Sequence, residues 1–234
     1  MKKTAPETAA LIVEEYFPAC NVALLAGSVI RGEGTKTSDL DIVIFDENVE
    51  QSYRESLVSY EWPVELFVHN LESYRPFFEQ DIARARPSLP RMVAEGRIIT
   101  DDGRAKAIKA EAEALLDKGP KALTRKEVEM KRYFITDALD DFIGSQNRGE
   151  SIFIANKLAD LVHEFVLRTN GKWIGDSKWV VRALKEYDPL FTERFIGAFD
   201  QFYKRGEKAA IIDLVDDVLE VFGGRLFEGF SLGK

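Results

Sequence analysis

The chain has 234 residues, 45% of them hydrophobic, enough to bury a sizeable core in one large domain or two small ones. Its net charge of −8 excludes a duplex-binding face, which needs clustered Lys and Arg to neutralise phosphates. The opening text MKKTAPETAALIVEEYF meets Glu7, Glu14 and Glu15 before any long apolar run, and Cys20 is the single cysteine. Neither a signal peptide, a membrane span nor an internal disulfide is therefore expected, and the setting reads as cytoplasmic and reducing, with Cys20 a buried, inert thiol.

Thr4-Ala5-Pro6-Glu7 fits a helix start, with Thr4 as N-cap, Pro6 in the first turn and Glu7 closing a capping box, so a helix through about Tyr16 follows. The short apolar run 21–26 (NVALLA) suits a buried strand. Residues 40–45 (LDIVIF) read as a second strand and 64–68 (VELFV), after Pro63, as a third. Helices are expected over 71–84 and 89–95, a marginal strand after Gly96 in RIITDD, and a helix over about 104–117 that stops at Lys118-Gly119-Pro120. A domain boundary is placed there, giving units 1–119 and 120–234.

Beyond it the periodicity is that of long amphipathic helices, roughly 124–145, 151–168, 177–186, 189–203 and 207–222, with Thr124/Glu127 and Asp188-Pro189 as caps. A helical bundle is the expectation for this half. Charge divides along the same line: 14 Lys+Arg against 21 Asp+Glu over 1–119, and 18 against 19 over 120–234. The acidic excess sits in the half that contains Asp39-Leu40-Asp41, where a divalent cation would offset part of it.

On a strand, Asp39 and Asp41 point the same way with Cα atoms about 6.5–7 Å apart, while Leu40, Ile42 and Ile44 face the core. Two like charges side by side are unfavourable unless a positive group joins them, and a hard divalent cation is the natural one. An isolated pair of this kind is also common as plain exposed carboxylates. Upstream, a Gly27-Ser28 turn leading into a short helix would present N–H groups and a hydroxyl to an anion. Arg31, one turn on, could reach the same phosphate oxygens, and Gly32 and Gly34 permit close backbone approach.

Gly27-Ser28, ten residues, then Asp39-Leu40-Asp41 on an apolar strand resembles the signature of the nucleotidyltransferase superfamily that includes DNA polymerase β. The fuller text GSVIRGEGTKTSDLDIVIF is similar to that of bacterial small nucleotidyltransferases, including the kanamycin and other aminoglycoside enzymes. The resemblance covers about a tenth of the chain. It implies an α+β fold, in which a small mixed sheet with flanking helices forms a polymerase β-like catalytic domain and a C-terminal helical bundle binds the acceptor. It also implies a third carboxylate on a following strand: Glu65 in WPVELFVHN, which by alternation shares a face with Phe67 and His69. Expected catalytic and metal-binding residues are thus Asp39, Asp41 and Glu65, with one or two Mg²⁺ ions. Expected nucleotide-binding residues are Gly27, Ser28, Arg31 and Ser38, with Lys178 added from the helical half, where the segment 172–179 (KWIGDSKW) resembles a nucleotide-contacting helix; a solvated basic face beside two core tryptophans is the other reading of Lys178.

The expected substrates are an NTP, with ATP as the named nucleotide, and a small-molecule acceptor in a cleft between the domains. Asp137, Asp140 and Asp141 form an acidic edge that would suit an amine-bearing acceptor, or is simply a charged solvent face. Two rivals stay open, a protein-directed AMPylase or antitoxin-like module and a degenerate nucleotide-binding domain. Helical nuclease toxins carry Arg, four residues, His; here His163 and Arg168 stand in the reverse order. His163 reads as a helix residue near the core, and monomer and homodimer are both open.

Overall fold

A computed structural model describes residues 3–233 and divides the chain into two compact units, one ending at Gly119 and the other starting at Pro120. The first unit is mixed α+β. Helix α1 (Ala5–Tyr16) opens on the expected capping box between Thr4 and Glu7. Strands β1 (Val22–Ala26), β2 (Leu40–Phe45), β3 (Tyr53–Ser59) and β4 (Trp62–His69) follow, then α2 (Tyr74–Ala83), α3 (Ser88–Glu95), β5 (Arg97–Asp101) and α4 (Ala105–Lys118). The strands form one sheet in the order β3-β4-β2-β1-β5, with β2 and β4 parallel and the remaining pairs antiparallel.

Both faces of this sheet are covered, which is why β1 and the end of β2 read as unbroken apolar text. On one face Ala23, Leu25, Ile42, Ile44, Leu66 and Val68 pack with Ala9, Ile12 and Val13 of α1. On the other, Val22, Leu24, Val43 and Phe45 meet Tyr74, Phe78, Val93 and Ile108 from α2, α3 and α4. The aspartate-bearing face of β2 is therefore itself core beyond Asp41: Val43 and Phe45 are fully buried while Asp41 is half-buried. Cys20 is free and buried, and burial, with Asp46 nearby, pushes its thiol up to about 11, so it is unreactive.

Two expectations for this unit are corrected. No short helix follows Gly27-Ser28; the segment 28–32 is a run of turns closed by Glu33 N–H donating to Ser28 O at 3.0 Å. The glycines that keep this loop open deprive it of the propensity a helix needs. Strand β3 was not anticipated, because YRESLVS is exposed along most of its length and carries no apolar alternation. Its hairpin turn to β4 uses Tyr60 (φ 49°) and Glu61 (φ 64°), left-handed conformations usually signalled by Asn or Gly.

The second unit is helical among its described residues: α5 (Arg125–Gly144), α6 (Arg148–Thr169), α7 (Lys178–Tyr187), α8 (Pro189–Arg205) and α9 (Ala209–Glu220). Thr124 caps α5 by accepting from Glu127 N–H, and Asp188 caps α8 by accepting from Leu190 and Phe191 N–H. Lys208 donates to the carbonyls of Phe142 (2.6 Å) and Ser145 (2.6 Å), filling the C-terminal end of α5. No helix among the described residues is long and apolar enough to cross a membrane.

Candidate functional site

The site begins with strand register. Because β2 and β4 run parallel with Asp41 opposite Glu65, the two carboxylates emerge side by side on one face of the sheet. Asp39 lies one residue before β2 starts and joins them: oxygens of Asp39, Asp41 and Glu65 all lie within 4.8 Å of one another. All three residues are half-buried. The proton affinity of Asp41 is raised to about 6, first by burial and then by the charges of Asp39 and Glu65, with Arg31 and Arg54 opposing.

Gly27 directly follows β1 and lies against the Asp41 side chain. Its φ is +79°, and a Cβ there would lie 1.9 Å from Asp41 Oδ2, so the carboxylate occupies space that any larger residue would fill. Ser28 is buried and its hydroxyl donates to Ser38 Oγ at 3.2 Å. Ser38 Oγ also accepts from Thr35 N–H at 2.8 Å. The two serines thus tie the turn after β1 to the residue preceding Asp39, which sets where the aspartate pair begins.

Arg31 is held by Glu33 (3.1 Å) and Glu95 (2.9 Å), so in this structure its guanidinium is engaged by carboxylates on the loop and on α3. Its charge still acts on Asp41. Sequence reasoning passed over Arg54, which comes from β3 and donates to Glu65 Oε2 at 2.5 Å. Its guanidinium also lies 4.9 Å from the centroid of the Phe67 ring. An Arg two residues along a neighbouring strand has no sequence signal once the strand itself is missed.

Each unit also holds residues outside this trio. Lys178 opens α7 in the helical unit and is exposed. In the text that precedes it, Gly175 packs so closely that a Cβ would meet Trp179 O at 2.1 Å, and Arg182 lies over the Trp179 ring at 4.6 Å. Asp137, Asp140 and Asp141 are exposed on α5, and Arg225 bonds Asp140 as well as Asp216. His163 is a buried residue of α6 whose Nδ1 meets Ala159 O at 2.9 Å. His69, at the far end of β4, is buried with Nδ1 2.9 Å from Ser52 Oγ, and burial lowers its pKa to about 4.

No protein-family model matches the chain, and no curated protein matches it significantly. Among solved structures, a nucleotidyltransferase-like protein from Exiguobacterium sibiricum 255-15 aligns with 12% identity over 92% of this chain and 74% of that one, at a TM-score of 0.47.

Proposed function

We propose that the chain is a divalent-metal-dependent nucleotidyltransferase that moves a nucleoside monophosphate from an NTP, with ATP as the first candidate, to a hydroxyl of a small molecule. The observation that carries this reading is the trio Asp39, Asp41 and Glu65, two carboxylates on adjacent strands and a third just before one of them, with oxygens within 4.8 Å. The donor set fits a hard cation: it is all oxygen, anionic and half-buried, and Asp41 is disfavoured as a carboxylate until positive charge arrives. Asp39, Asp41 and Glu65 would hold one or two Mg²⁺ ions, which when bound lower charge on the phosphates and acidify the attacking hydroxyl.

The chain's own groups supply the rest. Backbone N–H groups of the Gly27-Ser28 turn, with the hydroxyls of Ser28 and Ser38, would take the β- and γ-phosphate oxygens, and Arg31 would add charge to the same end of the nucleotide. Glu65 would accept the proton of the acceptor hydroxyl. The hydroxyl oxygen then bonds the α-phosphorus as the bond to the bridging oxygen breaks in line with it, and pyrophosphate leaves with that electron pair. The helical unit that follows Gly119 supports a small-molecule acceptor, and the exposed Asp137, Asp140 and Asp141 favour an amine-bearing one, an aminoglycoside-like antibiotic being the example.

The test is incubation with Mg²⁺, α-labelled or γ-labelled ATP and a panel of hydroxylated acceptors. The expected result is transfer of the α label alone, lost in Asp39→Asn and Glu65→Gln. Transfer of the γ label would replace the reading by a kinase, and label on protein would replace the acceptor by a polypeptide. Neither turnover nor metal-dependent nucleotide binding would leave a degenerate nucleotide-binding domain.

A further inference from the structure

Arg54 lies outside the acidic trio, yet it bonds one of its members, Glu65. Strand β3 pairs with β4 so that Arg54 faces Phe67 and Ser56 faces Glu65, which places Arg54 one pair along from Glu65 on the same face. Its guanidinium donates to Glu65 Oε2 and rests against the Phe67 ring at 4.9 Å. Arg31, on the loop after β1, is bonded to Glu33 and Glu95.

The side chain of Arg54 is 60% exposed against 25% for Glu65, so this is a partly solvated pair at the sheet edge. Pairs of that exposure add little to stability, and stability alone is a poor account of it. What the pair does accomplish is electrostatic and geometric. It puts a positive charge against Glu65, one of three carboxylates whose oxygens lie within 4.8 Å of one another, and it reaches Glu65 from β3, on the other side of β4 from the strand that carries Asp41. The ring of Phe67 gives the guanidinium a resting place within the same arrangement.

We infer that Arg54 is a positioning residue and the resident counter-ion of the site: it orients Glu65 toward Asp39 and Asp41, and it competes with the divalent cation for the charge of that carboxylate. The inference rests on the metal-dependent reading above. Arg54 touches no reacting atom in it; it acts through Glu65. Loading the site with a cation then weakens the hold of Arg54 on Glu65, and loss of Arg54 strengthens cation binding while leaving Glu65 less well aimed.

The test uses the full chain and Mn²⁺ alone as probe, titrated calorimetrically into the wild type, Arg54→Met and Arg54→Lys without nucleotide, with circular dichroism confirming that each is folded. Removing one positive charge a few ångströms from a partly solvated cation is expected to tighten Mn²⁺ binding of Arg54→Met about three- to tenfold. Arg54→Lys keeps the charge and is expected to bind Mn²⁺ as the wild type does. In the labelled-transfer assay, Arg54→Met is expected to lose about tenfold in kcat at unchanged KM for the nucleotide, with partial recovery in Arg54→Lys, as for misdirection of a general base. Unchanged Mn²⁺ affinity in Arg54→Met, with clear binding by the wild type, would overturn the role of Arg54 and leave the metal-dependent reading standing. A wild type that binds no Mn²⁺ would overturn both.

Discussion

The parallel pair β2–β4 carries two ionisable sites on one face, four residues apart along the strands, and they solve burial in opposite ways. At the start, Asp41 faces Glu65; at the end, Phe45 faces His69. Burial moves both groups toward their neutral forms, Asp41 up to about 6 and His69 down to about 4. His69 has aromatic neighbours, Phe45 and Phe77, and a Ser52 hydroxyl, so its neutral form is content where it is. Asp41 has carboxylates instead, Asp39 and Glu65, and this joining of like charge to burial is what the metal-dependent proposal rests on.

The sharpest way to break this comparison is at the acidic end. Asp41→Asn is expected to lower labelled transfer by about a thousandfold, the effect of losing a ligand to a cation that contributes several kcal/mol to the transition state. The same change is expected to raise the stability of the metal-free protein at pH 7.5 by about 1–2 kcal/mol, after discounting for solvent screening. The sign follows from a folded pKa lying above the unfolded one: the carboxylate is penalised in the fold above about pH 6, and below about pH 3.8 it is protonated in both states. Thermal melts with and without EDTA across that range check it, and a variant less stable than the wild type at pH 7.5 would show that Asp41 is not repelled there.

Next in size is Gly27→Ala. The new Cβ would stand where Asp41 Oδ2 stands, at a φ of +79°. A displacement of that kind is expected to reduce transfer about a hundredfold and stability by about 1–2 kcal/mol. Retained Mn²⁺ binding at wild-type affinity would show that the aspartate had found another position.

At the other end, the expected effect is on pH dependence. Because the folded pKa of His69 lies below the unfolded 6.5, stability is full above pH 6.5 and declines as pH falls toward 4, by about 3 kcal/mol in all. In His69→Gln that part of the decline is expected to vanish, whatever the starting stability. Denaturant midpoints from pH 4 to 7.5 measure it, and identical slopes in the two proteins would remove burial as the cause. The smallest expected effect is at the turn that leads into β4: Glu61→Gly relieves a left-handed backbone at φ 64° and is expected to stabilise by roughly 0.5–1 kcal/mol in thermal melts, with Mn²⁺ affinity unchanged.

Much of the fold can be read without coordinates. Strand β2 falls on LDIVIF, because β-branched side chains between a polar loop and Asp46 leave little else. The α1 and α5 starts follow from local capping chemistry, Thr4 with Glu7 and Thr124 with Glu127. Strand β3 was hidden because an exposed edge strand has no buried face to pattern, and its Tyr60-Glu61 turn carries neither Asn nor Gly. The expected helix after Ser28 failed for the converse reason: an apolar Val-Ile-Arg start is compatible with a helix, but Gly32 and Gly34 let the chain close as turns.

Local text by itself determined the two aspartates and the glycine turn before them, because each depends on residues close in sequence, a two-residue strand period and a glycine at a strand end; the carboxylate on VELFV is singled out by the family resemblance, and alternation only places it on the face it shares with Phe67 and His69. Tertiary structure alone decided that Asp41 stands opposite Glu65, that Asp41 rests on Gly27, that Arg31 is bonded to Glu95, and that Arg54 holds Glu65. Those relations join residues up to 64 positions apart. They come from strand register and sheet order, which are set by how two apolar faces are buried together and are written in no single stretch of the chain.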